Sequence, residues 1–232
     1  MTADIIEIPR PALHEQVASR LREMLVEGRI APGAKLNERA LCEVLAVSRT
    51  PLREAIKMLA AEGLVALVPN RGAVALQLDE QAVRHTFEVM GGLEAMSGEL
   101  ATQRITEAEL AEIRAMHFEM LAAYTRRDLS VYYRLNARIH RAINAAAKNP
   151  VLSDTYDRLN ARLQALRFRS NQHGDKWKHA VEEHDKIIEA LTRRDGVALR
   201  RLLAEHLQNK LTVVLEQLKD QEAGPSRNRS RP

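Results

Sequence analysis

Three of the eight histidines fall on apolar helix faces, where an imidazole is out of place unless it has work to do. His140 recurs with Asn136, Ile143 and Ala147 at the i, i+4, i+7, i+11 spacing that lines one face of a helix. His184 shares a stripe with Val181, Ile188 and Leu191, and His206 sits with Leu199, Leu202 and Leu203. A buried imidazole needs a partner away from water, and for any one histidine an ordinary core hydrogen bond supplies it. For three histidines on three helices, a shared divalent metal satisfies all of them at once. Neutral imidazoles suit Zn²⁺ or Ni²⁺, and Asn136, one turn before His140, can add a carbonyl oxygen. The expected metal set is Asn136, His140, His184 and His206. His14, His85, His117, His173 and His179 form no comparable set.

A second group of residues has the chemistry of phosphate and base recognition. Arg49, Arg53 and Lys57 follow an i, i+4, i+8 spacing, away from the apolar stripe Leu52, Ala55, Ile56 and Leu59. Ser48 and Thr50 stand at the start of that segment, where a helix presents unpaired N–H groups to an anion. Arginine reads guanine bidentately or grips phosphate, and a hydroxyl serves either purpose. Without further context, such residues are equally an ordinary solvated face.

The context is a chain of 232 residues with 45% hydrophobic and 28% charged residues, an ordinary globular balance. Only 3% are aromatic, which with abundant Ala, Leu, Arg and Glu favours helices. No apolar run approaches the length of a membrane span, the N-terminus has no signal-peptide core, and the single Cys42 cannot form an internal disulfide. A cytoplasmic protein without membrane association is expected. The net charge of +4 is unevenly spread: ten Lys/Arg against nine Asp/Glu up to Leu78, 22 against 22 from Asp79 to Glu222, and three arginines without acid after that. Global charge therefore says little about nucleic acid.

Periodicity predicts helices over about 12–27, from Asn37 through Leu45, and from Ser48 or Thr50 to Glu62. Leu64–Val68 and Ala73–Leu76 flank Pro69-Asn70-Arg71-Gly72 as a hairpin. Three short helices and a hairpin describe a winged helix-turn-helix, with Arg71 at the wing tip, Gly72 permitting close backbone approach and Arg39 set for a phosphate. After Leu78 six helices are expected, at about 79–104, 106–126, 128–148, 151–171, 176–193 and 196–220. Their short connections imply an antiparallel bundle. The expected fold is thus mostly α: an arm (1–10), a winged helix-turn-helix (11–78), a six-helix antiparallel bundle (79–222) and a disordered basic tail (223–232).

The stretch Pro32-Gly33-x-Lys35-Leu36-Asn37-Glu38-Arg39-x-Leu41, with Val47-Ser48-Arg49-Thr50-Pro51-Leu52-Arg53-Glu54-Ala55 and Leu59-x-x-Glu62-Gly63-Leu64-Val65, resembles the GntR-type DNA-binding domain. The resemblance implies DNA contacts at Arg39, Ser48, Arg49, Thr50, Arg53 and Gly72, to which the wing adds Asn70 and Arg71. Asn136/His140, Asn149-Pro150, Glu183-His184, Asp195-Gly196 and His206-Leu207 resemble the FCD effector domain of the FadR-like branch, and the six helices its VanR-like subgroup. Three positions depart from the pattern. Asn136 replaces an aspartate, so the ligands bring no charge and an anionic effector gains importance. Ile139 replaces a common Phe. Met90 stands where relatives often carry arginine, a role left vacant or filled by Arg167 or Arg169.

These readings imply a homodimeric regulator, most commonly a repressor in that family, on a pseudo-palindromic operator. Its effector is a small carboxylate bound through the metal. Two alternatives remain at this point: a regulator that senses the metal itself, and a metal-dependent enzyme in which Glu183 or Asp185 acts as base.

Overall fold

The computed structural model describes residues 12–170 and 174–223, and the chain divides into two compact units, Met1–Gln77 and Leu78–Pro232. The expected arm over 1–10 and the tail after Ala223 lie outside the described residues.

The first unit contains α1 (Leu13–Val26), α2 (Glu38–Leu45), α3 (Arg49–Ala61), β1 (Val65–Val68) and β2 (Gly72–Ala75). Val17, Ala18, Leu21 and Leu25 of α1 are buried, as are Leu52, Ala55, Ile56 and Leu59 of α3. Arg22 fixes the pair by a bidentate bond to Glu62 at 2.9 and 2.6 Å. Asn37 caps α2, its side chain accepting from the N–H groups of Arg39 and Ala40. Ala46 then turns the chain into α3 at φ 53°, a left-handed conformation that costs an alanine about 1–2 kcal/mol. Val65 pairs with Ala75 and Val68 with Gly72 across the hairpin. Its tip is set by Pro69 followed by Asn70 at φ 60°, the order a type II turn requires. Residues 33–36 run alongside β2 as a third extended segment: Leu36 N–H donates to Ala73 O and Ala75 N–H to Ala34 O.

The second unit is made of α4 (Glu80–Arg104), α5 (Glu107–Thr125), α6 (Leu129–Ala146), α7 (Pro150–Ser170), α8 (Gly174–Thr192) and α9 (Gly196–Ala223), close to the expected six. Three of the turns share one construction. A basic residue takes a positive φ (Arg127, Lys148, Arg194), and the Asp or Asn after it caps the next helix. Asp128 accepts from Val131 N–H, Asn149 from Leu152 N–H and Asp195 from Ala198 N–H. Each cap contributes about 0.5–2 kcal/mol and fixes where the next helix begins.

Two apolar clusters fill the bundle. One gathers Ile113, Met116, Met120, Tyr132, Leu135, Ile139, Trp177, Val181 and Leu191; the other Val83, Phe87, Met90, Tyr156, Leu163 and Leu211. Met90 is fully buried in the second, so the position is an apolar core site. Ile139 is fully buried in the first. The side chains of Arg167 and Arg169 lie outside the described residues.

Gly98 lets α4 and α9 meet. A methyl there would lie 2.5 Å from Leu203 Cδ1 and 2.9 Å from Leu199 Cγ. Both leucines are fully buried and cannot swing away freely. Overpacking of about 1–3 kcal/mol exceeds the helix-propensity gain of about 1 kcal/mol. Gly98→Ala is therefore expected to destabilise the unit by roughly 1 kcal/mol in urea unfolding. An unchanged or raised midpoint contradicts this packing.

Candidate metal centre and nucleic-acid interface

α6, α8 and α9 each carry one histidine of the set inward. The His140, His184 and His206 rings form a near-equilateral triangle, with centroids 5.0, 5.3 and 5.1 Å apart. One nitrogen from each lies within 4.8 Å of the others, and all three residues are buried. Nitrogens that share a zinc ion at about 2.0–2.1 Å stand about 3.4 Å apart, so small ring movements bring the set to bonding geometry.

Two of the rings have a carboxylate behind them, and one of these is hydrogen-bonded. His206 Nδ1 is 2.6 Å from Glu183 Oε2, and His140 Nδ1 is 2.8 Å from Glu94 Oε2. The Glu183 bond at Nδ1 selects the Nδ1–H tautomer of His206 and leaves its Nε2 as the lone-pair donor, the arrangement found behind metal-bound histidines, while Glu94 stands beside His140 as a charge. Glu183 also accepts from Asn209 Nδ2 at 2.5 Å. Its burial raises the carboxyl pKa, but the bonds from His206 and Asn209 and the nearby His179 outweigh that and hold it below its ordinary value.

His184 is different. It is wholly buried, and neither of its ring nitrogens finds a hydrogen-bond partner among the described residues. Burial drives its pKa well below the ordinary 6.5, helped by His140, His206, His117 and Lys210. Burial likewise lowers His206, with His140 and Lys210 acting in the same sense and Glu183 opposing. Two neutral imidazoles, one orphaned at both nitrogens, fit a cation that accepts lone pairs. Asn136 is half-buried one turn from His140 on α6.

These shifts set a pH dependence. Both groups have folded pKa values below the unfolded 6.5, so the unfolded chain binds more protons in acid. Their contribution is complete above pH 6.5 and is lost as pH falls below it. Chelator-treated protein is expected to lose stability steadily from about pH 6.5 to 5, read as falling urea midpoints. A flat profile contradicts neutral, buried imidazoles.

His117, grouped with the unremarkable histidines on sequence, is buried on α5, with Nε2 2.8 Å from Asp185 Oδ1. It acts electrostatically on His184, so a fourth histidine adjoins the triad. Glu94 was also missed. Its signal was legible: with Phe87, Met90, Ser97 and Ala101 it follows the buried stripe of α4, a lone carboxylate among mostly apolar neighbours.

In the first unit, an open groove of about 600 Å³ is lined by Arg39, Arg53, Asn70, Arg71 and Gly72, together with Lys35. It thus joins five of the eight expected recognition residues; Lys35 is an addition, brought there by the extended segment beside β2. Arg39 pairs with Glu43 at 3.3 Å and Arg53 with Glu38 at 2.9 Å, both on the surface. Ser48, Arg49 and Thr50 are exposed at the α3 N-terminus. The Ser48 side chain makes no capping bond, and Pro51 at the third helical position has no N–H to offer it. Its hydroxyl and the first N–H groups of α3 therefore stay available to an anion.

Comparison with known proteins follows the same division. The bacterial regulatory protein gntR family matches residues 13–74, and the FCD domain matches residues 85–209, more than half of the chain. The chain belongs to the GntR family, with an FCD domain. This GntR protein is 28% identical over 208 residues to the HTH-type transcriptional repressor RspR of Escherichia coli (strain K12), covering 90% of this chain and 91% of the relative. It is 29% identical over the same length to an uncharacterized HTH-type transcriptional regulator, YdfH, of Escherichia coli O6:H1. Among solved structures, E. coli McbR/YncC superposes with a TM-score of 0.80 at 23% identity, covering 90% of this chain and all of that one. The protein is a DNA-binding transcription regulator and not an enzyme. No helix among the described residues is long and apolar enough to cross a membrane.

Proposed function

We propose that this GntR-family regulator senses a small carboxylate metabolite through a divalent metal, zinc or nickel, in its FCD domain. Asn136, His140, His184 and His206 would hold the ion. The observation that carries the reading is His184: a buried imidazole whose two nitrogens have no partner among the described residues, facing two more imidazoles. When bound, the ion supplies a Lewis-acid position for a carboxylate oxygen. The chain's own part is to disfavour the charged form of His184 and His206 by burial, to orient His206 through its bond to Glu183, and to set the Glu94 carboxylate beside His140. Those carboxylates also offset the charge that an aspartate at position 136 would have balanced, so the site accepts an anion without depending on one.

Residues 11–78 would read a pseudo-palindromic operator in the cytoplasm as one half of a homodimer. Arg39, Ser48, Arg49, Thr50, Arg53, Asn70, Arg71 and Gly72 are the proposed contacts. In a dimer the two α3 helices enter successive major grooves about 34 Å apart. The effector changes operator affinity only by binding one arrangement of the dimer better than the other. Repression relieved by ligand is the expected sense.

A thermal-shift screen of carboxylic acids, run with and without chelator and followed by operator-binding titrations, tests this. Acids that stabilise only the metal-loaded protein and release the operator support the reading. Operator affinity that responds to zinc alone, with no acid effective, would replace it with direct metal sensing.

A further inference from the structure

The recognition groove holds a cation that the expected contacts leave out. Lys35 lies on the extended segment beside β2, opposite Val74 in an antiparallel bridge. Side chains alternate between faces along such a segment. Leu36 is buried in the core, so Lys35 points to the other face, where it is exposed. On β2 the same alternation buries Ala73 and Ala75 and leaves Gly72 and Val74 on the outer face. Gly72 offers no side chain there, and the lysine stem fills the space. Lys35 Cε lies 3.8 Å from where a Cβ on Gly72 would stand.

The charges around it decide what it can hold. The groove gathers Lys35, Arg39, Arg53 and Arg71 with one carboxylate, Glu38. Arg53 pairs with Glu38 and Arg39 with Glu43, so these two guanidinium charges are already partly balanced. Lys35 and Arg71 are both exposed and have no ion-pair partner among the described residues. They flank Gly72, whose φ of 80° and missing side chain leave the backbone open to a close approach. An ammonium is a compact point charge that binds phosphate without the planar fork of a guanidinium. Lys35 also stands on the sheet and not on α3, the helix placed to enter the major groove. It therefore meets the DNA backbone before it meets base edges.

We infer that Lys35, together with Arg71 and over the bare backbone of Gly72, holds one phosphate of the DNA backbone where it passes the wing. This rests on the groove facing DNA, as proposed above. It adds a contact that sets affinity and register without reading sequence.

The test uses the full-length protein and a random-sequence DNA duplex of about 30 base pairs, roughly three helical turns. Binding is read by fluorescence anisotropy across a salt series. Each phosphate neutralised releases counterions and contributes about 0.9 to the slope of log affinity against log salt. Lys35→Gln is expected to make that slope shallower by about 0.9 for each chain bound. At about 0.15 M salt the same loss weakens binding about fivefold per chain. Lys35→Arg keeps the charge and should keep both slope and affinity. Both variants should melt with the parent, since the side chain is exposed. Arg114→Gln removes the same charge from an exposed site on α5 and should leave the slope unchanged. An unchanged slope in Lys35→Gln, or an equal change in Arg114→Gln, overturns the inference. In that event a shallower slope in Arg39→Gln keeps the groove on the DNA face, and an unchanged one removes the groove as well.

Discussion

Zinc added to the chelator-treated protein is expected to raise its melting temperature, and His184→Leu is expected to abolish that rise while leaving the metal-free protein at least as stable. The second half carries the diagnosis. In an ordinary core, replacing a fully buried histidine removes its hydrogen bonds and costs stability. Here both ring nitrogens are without partners among the described residues. An unsatisfied buried polar group costs about 1–3 kcal/mol, and a leucine of similar volume relieves that. With zinc at 100 to 1,000 times its dissociation constant, linkage stabilises the parent by about 2.7–4.1 kcal/mol. At about 2–4 °C per kcal/mol for a chain of this size, the rise is roughly 5–15 °C. Equal losses in His184→Leu with and without zinc would show that the histidine is merely structural.

Arg49→Ala is expected to weaken operator binding by about 5- to 150-fold, the worth of one bidentate base contact of about 1–3 kcal/mol, with the melting temperature unchanged. The side chain is exposed at the N-terminus of α3, so its removal leaves packing untouched. Arg53 is a less clean probe, because its guanidinium is held by Glu38 and its loss also frees a carboxylate in the groove. The readout is fluorescence anisotropy on operator and scrambled duplexes across a salt series. Loss on the operator alone marks base reading. Equal loss on both, with a shallower salt slope, marks a phosphate contact. No loss on either removes the α3 N-terminus from the interface.

The sequence carried the periodic features well. Six helices after Leu78 were legible because breaks in the periodicity separate them, and three of the turns repeat a basic residue before an Asp or Asn cap. The three histidines were legible because a 3.6-residue period shows which face each occupies, and all three faces proved buried. What stayed hidden were pairings between distant segments. Nothing local announces that residues 33–36 lie along β2 and carry Lys35 to the recognition groove. Nor does anything local announce that Glu183, next to His184 in sequence, reaches across to His206 on α9. Glu94 is the instructive case. Its place on the buried stripe of α4 could be read, but its partner His140, 46 positions on, could not.

The central claim is that the buried triad holds a divalent metal, and elemental analysis of the protein purified without chelator or affinity metal tests it most directly. The account predicts one zinc or nickel ion per chain, lost together in His140→Leu, His184→Leu and His206→Leu variants that remain folded. Protein that carries no metal, and takes up none from a zinc buffer through dialysis, would contradict it.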